Sequence, residues 1–223
     1  MSSKSPRLAL LHTSPSLTPL FTDLCRTHIP EASIFHMVDE SLIQNTIREG
    51  SLSKLTIRRV AALVDSAVEA GADAVLVTCS SIGVGVERAA ERHDVPVLRV
   101  DAAMAEKAVR QATSIGVLAT LRTTLEPTTD LIRRKAVEAG RAVQLVECLC
   151  EDAFPAVMAG DTETHDRLLR KALLEDLGGV DVVVLAQASM ARVVASLPAG
   201  ALKAQVLSSP ELGVLSARQA LGL

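Results

Sequence analysis

The chain has no tryptophan and no tyrosine, and only three phenylalanines, Phe21, Phe35 and Phe154. The aromatic platforms on which nucleic-acid bases stack are therefore missing. A net charge of −3 at pH 7 leaves no basic footprint for a phosphate backbone either. No segment approaches the roughly 20 consecutive apolar residues that cross a bilayer. Met1 to Arg7 is polar, and the apolar run behind it, Leu8 to Leu11, is shorter than the about 7–15 residues of a signal-peptide core. These absences predict a cytoplasmic protein with no membrane and no nucleic-acid partner. Cysteine is sparse too: four in 223 residues exclude a disulfide scaffold, and no His/Cys cluster has zinc spacing, so no metal is expected. Cys148 and Cys150 stand C-x-C in a strand-like run and can share one face of it. They, and Cys25 in a helical stretch, read as packing residues.

What the chain has is apolar bulk, 48% of its residues, enough for a sizeable core. It is arranged in short runs that alternate with helical periodicity, which predicts an α/β fold with parallel sheets. The clearest run is Asp73-Ala74-Val75-Leu76-Val77-Thr78-Cys79-Ser80-Ser81. An acidic residue opens a continuous apolar stretch, as in a strand buried on both faces, and a polar cluster containing a thiol closes it. Ligands of open α/β sheets bind outside the carboxyl ends of the strands, so Cys79 stands where chemistry is expected. Strands are also predicted over Arg7–Thr13, Ala32–Val38, Pro96–Val100, Ser114–Ala119, Ala142–Val146, Asp181–Leu185 and Lys203–Leu207. Among the helices, Ser53–Ala70 carries an apolar face and ends at Gly71, placed to terminate it. Ser16, Asp101 and Asp161 are candidate N-caps, the last for a helix over Thr162–Leu177. Gly83 and Gly85 make only half of a dinucleotide fingerprint, because position 88 is Arg. They read as places where backbone approaches a small ligand.

The second half repeats the first. Gly71-Ala72-Asp73-Ala74-Val75-Leu76-Val77 matches Gly179-Val180-Asp181-Val182-Val183-Val184-Leu185 at an offset of 108, and the first and last strands of each half match at 107 and 109. This is too long a period for a solenoid and predicts two pseudo-symmetric Rossmann-like lobes, 1–100 plus 209–223 and 101–208, with an active-site cleft between them. The offset pairs Cys79 with Gln187 and Ser81 with Ser189. His12, Thr13 and Ser14 follow the first strand; Thr120 and Thr123 follow its counterpart. With Ser80, these residues supply the hydroxyls and donors suited to holding an anion.

On these grounds (the duplicated architecture, Val77-Thr78-Cys79-Ser80-Ser81, Leu185-Ala186-Gln187-Ala188-Ser189 and the loop Ala119-Thr120-Leu121-Arg122-Thr123) the chain resembles the aspartate/glutamate/hydantoin racemase superfamily, which also holds maleate isomerase and arylmalonate decarboxylase. The resemblance implies a cofactor-independent enzyme acting by proton transfer on a small carboxylate, and a homo-oligomer. In racemases of that family two cysteines, one per lobe, remove and return a proton next to a carboxylate. Cys79 takes the catalytic position of one. His12, Thr13, Ser14, Ser80, Ser81, Thr120, Thr123, Gln187 and Ser189 become candidate substrate contacts.

The departure is Gln187, which stands where the second thiol belongs. An amide has no proton titrating near neutrality and can only donate or accept hydrogen bonds. A one-thiol reaction is then expected: racemisation or isomerisation first, with decarboxylation or another lyase reaction as the alternative and non-catalytic binding of a small acid as a third reading. Glu147, at the end of a strand-like run, is the one carboxylate that could replace the missing base. If Gln187 is the counterpart of a catalytic thiol, Gln187→Cys should create or raise two-thiol racemisation. Chiral analysis of product formed from a single enantiomer, compared with the parent chain, measures this; an unchanged rate counts against the pairing.

Overall fold

The structure, a computed structural model, describes residues 5–198 and 200–223; most of the polar N-terminal lead, Met1 to Lys4, lies outside them. The chain divides into two compact units, Met1–Ala102 with Pro210–Leu223, and Ala103–Ser209. Each contains one four-stranded, all-parallel sheet covered by helices.

In the first unit the chain runs through β1 (Arg7–His12), α1 (Thr18–His28), β2 (Ser33–Val38), α2 (Glu40–Glu49), α3 (Lys54–Glu69), β3 (Ala74–Val77), α4 (Gly83–Ala90) and β4 (Val97–Arg99). The sheet order is β2-β1-β3-β4. Side chains alternate across the sheet, so the continuous apolar run is sorted onto two cores. Ala9, Leu11, Val75 and Val77 meet Val60, Val64 and Ala67 of α3 and Val86 and Ala89 of α4. Leu8, Leu10, Ala74 and Leu76 meet Phe21 and Cys25 of α1 and Val214 and Ala217 of the chain's last helix. Cys25 is thus a packing residue, and burial pushes its thiol up to about 11.

The second unit contains α5 (Ala102–Gln111), β5 (Ser114–Ala119), α6 (Arg122–Glu138), β6 (Gln144–Leu149), α7 (Ala153–Met158), α8 (Thr162–Lys171), β7 (Val182–Leu185), α9 (Ala191–Ala195) and β8 (Gln205–Ser208), before α10 (Ser209–Ala220) rejoins the first. Its sheet order, β6-β5-β7-β8, is that of the first sheet with each strand replaced by its counterpart. The acidic residue that opens each central strand has the same task. Asp73 Oδ2 accepts from the Arg7 amide at 2.7 Å, and Asp181 Oδ2 from the amides of Thr113 and Ser114 at 3.0 and 2.9 Å. Each carboxylate satisfies amides where the neighbouring strand starts, groups that would otherwise lack a ladder partner.

Several local expectations are corrected. Ser16 does not cap α1: its hydroxyl pairs with that of Ser14 at 2.8 Å, and a short 3-10 turn, Pro15–Leu17, precedes the helix. The Asp161 cap holds, accepting from Thr164 N at 2.9 Å, but α8 ends at Lys171 and continues as a π turn over Ala172–Asp176. Gly71 does terminate α3, at φ +84°. Helix α7 was not anticipated, being a six-residue element with a proline inside.

Gly83 and Gly85 are explained by packing rather than by a ligand. A Cβ on Gly83 would lie 2.3 Å from Cζ of Arg99, whereas one on Gly85 would touch Val60 at an ordinary 3.4 Å. Arg99 is buried, donates from Nε and Nη2 to both carboxylate oxygens of fully buried Asp101 at 2.9 and 2.8 Å, and donates from Nη1 to Glu87 at 2.6 Å. Asp101, which directly precedes α5, is one half of this fork. Gly83→Ala should push the guanidinium off its partners and destabilise the protein by about 3 kcal/mol, the scale of a broken buried ion pair. Gly85→Ala, inside a helix, should be neutral or stabilising by up to about 1 kcal/mol. Urea unfolding of the two variants measures both, and equal effects would contradict the assignment.

Candidate functional site

The thiol of Cys79 follows the carboxyl end of β3. Cys79 is extended (φ −133°, ψ 115°) and occupies the N-cap position of a 3-10 turn, Ser80–Ile82, that leads into α4. Its side chain makes no cap hydrogen bond to that turn, but the hydroxyl of Thr13, which follows β1, and the amides of Ser81 and Ile82 stand near enough to favour the thiolate. Burial raises the thiol above its usual range and is the largest influence on it. The three donors oppose it, and the negative charge of Asp101 adds to the rise. The free site therefore holds Cys79 as a thiol, with donors already placed for the thiolate.

The second unit builds the same device with different chemistry. Gln187 (φ −131°, ψ 134°) occupies the N-cap position of the 3-10 turn Ala188–Met190 after β7. Its side chain meets Thr120, which follows β5: the amide and the hydroxyl of Thr120 approach Oε1 at 2.8 and 2.9 Å. A backbone amide can only donate, so the atom facing it is the amide oxygen, and the Nε2 donors are left for other partners. Thr13 and Thr120 stand at the same place in the two units, one residue after the first strand of each. Thr120, expected to touch a ligand, has spent its amide and hydroxyl on orienting Gln187.

The remaining candidates are placed as follows. Ser80 and Ser81 are buried in the turn after Cys79. Ser14 is half-buried and bonded to Ser16. Thr123 lies in the first turn of α6 with a buried hydroxyl that has no partner among the described residues. Ser189 is exposed. Glu147 is also exposed and takes the Arg133 guanidinium at 2.8 Å, an ion pair at the surface of the second unit. Cys148 and Cys150 both pack against the core of that unit. Among the described residues no group of three or more His, Cys, Asp or Glu side chains is gathered as for a metal ion, and no helix is long and apolar enough to cross a membrane.

His12 spends both ring nitrogens on the protein: Nδ1 lies 2.8 Å from Thr78 Oγ1 and Nε2 lies 2.9 Å from His36 Nδ1. The Thr78 hydroxyl donates to the Leu11 carbonyl at 3.1 Å, so it accepts from His12. His36 Nε2 lies 3.1 Å from the Thr22 hydroxyl, which donates to the Thr18 carbonyl at 2.8 Å and so accepts from His36. His36 was missed in sequence because its partner lies on another strand, at no fixed spacing, and Arg99 because the helix that carries Glu87 reaches it only in the fold. A polar residue in an otherwise apolar strand was the one available signal.

Burial, and then the neighbouring His36, hold the pKa of His12 at about 4 against an ordinary 6.5. The unfolded chain therefore binds a proton near pH 6.5 that the folded one refuses until about 4. Stability should be full above about 6.5, fall as pH drops through that window by up to about 3 kcal/mol, and level off below it. Urea unfolding between pH 7.5 and 4 measures this. His12→Gln should flatten the slope, and an identical slope in the variant would refute the cause.

With this geometry in place, comparison with known proteins is informative. The Asp/Glu/Hydantoin racemase family matches residues 10–217. A search of curated proteins finds no match. Among solved structures, the chain is similar to the glutamate racemase of Thermus thermophilus in complex with beta-chloro-D-alanine (17% identity, 98% of this chain and 81% of that one, TM-score 0.75). It is also similar to the glutamate racemase of Aquifex pyrophilus (21% identity, 96% and 83%, TM-score 0.69) and to the aspartate racemase of Picrophilus torridus (11% identity, 97% and 94%, TM-score 0.70). At these identities the structural likeness establishes the two-unit α/β fold, and none of the matches favours the decarboxylase or the acid-binding alternative. The family match covers nearly the whole chain and supports a racemase-type isomerase: the chain belongs to the Asp/Glu/Hydantoin racemase family.

Proposed function

We propose that this chain is a racemase acting on a small carboxylate, with Cys79 as its single proton-transferring thiol. The observation that carries the reading is the place of Cys79, extended just beyond the buried strand β3 and at the head of the helical turn that follows. A proton next to a carboxylate is very weakly acidic, so a useful base must itself be strong. A thiol raised above its ordinary range becomes a stronger base once ionised. Hydrogen bonds that favour the thiolate lower the cost of ionising it without removing that basicity altogether. The sulfur takes the α-proton, charge spreads into the carboxylate, and the same thiol or solvent returns a proton to carbon. The proton moves between sulfur and carbon, so the scheme calls for no cofactor.

In this scheme Gln187 is a neutral donor to a carboxylate oxygen, held in that orientation by Thr120. It cannot take the part of a second base, which is why one thiol must suffice. Ser80, Ser81, Thr123 and Ser189 are the hydroxyls assigned to the substrate anion. Glutamate and aspartate, the substrates in the names of the similar structures, define the class to test first.

The experiment is wash-in of solvent deuterium at the α-carbon, followed by NMR, for the enantiomers of aspartate and glutamate and for a hydantoin. Cys79→Ala should lower the exchange rate about 10²- to 10⁴-fold, the usual contribution of a positioned acid–base group, while leaving the unfolding midpoint close to that of the parent. Exchange at the parental rate in the alanine variant would overturn the assignment of Cys79.

A further inference from the structure

We propose that the substrate carries a methyl-sized apolar group on the carbon next to its carboxylate, and that a small pocket beside Cys79 receives it. The pocket is walled by Leu11 of β1, Val77 of β3, Leu42 of α2, Val60 and Leu63 of α3, and Ile82 of the turn after Cys79. Side chains two apart along an extended chain share a face. Thr13 therefore follows Leu11, and Cys79 follows Val77, on the side of the sheet that the pocket occupies. Cys79 packs on the same core cluster as Leu11, Leu42, Val60, Val77 and Ile82. The carbon that reacts at the sulfur thus lies beside the pocket.

Charge and size decide what enters it. Thr13 and His12 are the only polar residues of its lining among the described residues, and none of the lining residues is charged. His12 has both ring nitrogens on Thr78 and His36 and packs its ring on Phe21 of the opposite core. The Thr13 hydroxyl stands by the thiol. Arg59, the residue before Val60, is held by Asp39 Oδ2 at 2.7 Å and does not line the space. A carboxylate entering here would lose its water and gain no partner. The free volume is about 10 Å³, room for about one water molecule or one methyl group and far too little for a ring. A buried water wants about three polar partners, which these walls do not offer. An apolar group of that size meets carbon on several sides at once.

This sets the chain apart from the similar structures named for glutamate and aspartate, compounds with a second carboxylate. At 21 and 11% identity, the walls of a pocket are free to differ. The inference rests on the reading of Cys79 as the proton-transferring thiol and narrows its substrate: a carboxylate with a methyl, rather than a carboxymethyl, on the reacting carbon.

The test separates binding from turnover. The full-length protein, isotopically labelled at its Leu, Val and Ile methyl groups, is titrated with acetate, propionate, butyrate and succinate and followed by NMR. Wash-in of solvent deuterium is measured for alanine, aspartate and glutamate, with the parent chain and with Cys79→Ala. Propionate should bind about four-fold more tightly than acetate, the worth of one buried methyl, and shift the methyl resonances of Leu11, Leu42 and Ile82. Succinate should bind no more tightly than acetate. Alanine should exchange with a kcat/KM at least about ten-fold above that of aspartate or glutamate. Leu42→Ala enlarges the pocket and should move the preference from propionate to butyrate. Leu63→Phe, at a half-buried wall, should fill it and cancel the advantage of propionate over acetate. Circular dichroism and unfolding midpoints establish that both variants fold, and the ranking in the parent chain needs neither. Succinate binding ahead of propionate, aspartate exchanging faster than alanine, or acids that leave the pocket methyls unshifted would overturn the pocket, whatever the fate of Cys79. Propionate ranked first, with exchange undiminished in Cys79→Ala, would support the pocket and remove the thiol from its role.

Discussion

Each unit depends on one arrangement, a threonine just after the first strand and a polar residue just beyond the central strand. It is made at the only place where a parallel sheet presents polar groups on a rigid frame, the carboxyl ends of neighbouring strands. The central strands supply the rigidity. Ala74–Val77 and Val182–Leu185 are buried throughout and are pinned at their starts by Asp73 and Asp181. Cys79 and Gln187, two residues beyond those strands, both enter the next turn extended. The fold fixes where the group stands, and the residue type decides what it can do there.

Cys79 and Gln187 differ in what that position costs and offers. A thiol can lose a proton, so its surroundings are an argument between burial and the charge of Asp101 on one side and three donors on the other. An amide loses nothing, and its surroundings only fix its orientation. Thr120 accomplishes that with two donors on one oxygen. On the proposed reading, the amide would hold an anion without dependence on pH, and the thiol would carry the titrating chemistry. The symmetry of the backbone is kept while the two residue types differ.

Much of this was legible in the order of residues, because it rests on local signals. Apolar runs bounded by Asp and by small polar residues mark buried parallel strands, and their repetition at an offset near 108 marks the duplication. Cys79 and Gln187 could be singled out by their place after those runs. What could not be read is whatever depends on a partner from another strand. Gly83 suggested a ligand loop, yet the space it leaves is filled by Arg99. Asp101 looked like a helix cap and is bound by that same arginine. His12 looked free to meet a ligand, and His36, on the neighbouring strand, occupies it. A carboxylate such as Glu147 at a strand's end has no sequence mark to tell a base from one arm of a surface ion pair.

The buried polar groups near Cys79 have a common logic. Arg99, Asp101 and Glu87 form a cluster with one positive and two negative charges, and its excess negative charge bears on the thiol. On the other side of β3, burial holds the His12 imidazole at about 4, and so neutral. Neither arrangement supplies a cation to hold Cys79 as a resting thiolate. Cysteine nucleophiles that rest ionised need a neighbouring positive charge or an exposed helix start to keep them so. Here the start of the turn is present, and the cation of the nearby cluster, Arg99, is already saturated by two carboxylates. That combination suits a group that must be protonated between turnovers and strongly basic within one. It suits proton transfer to and from carbon better than nucleophilic attack.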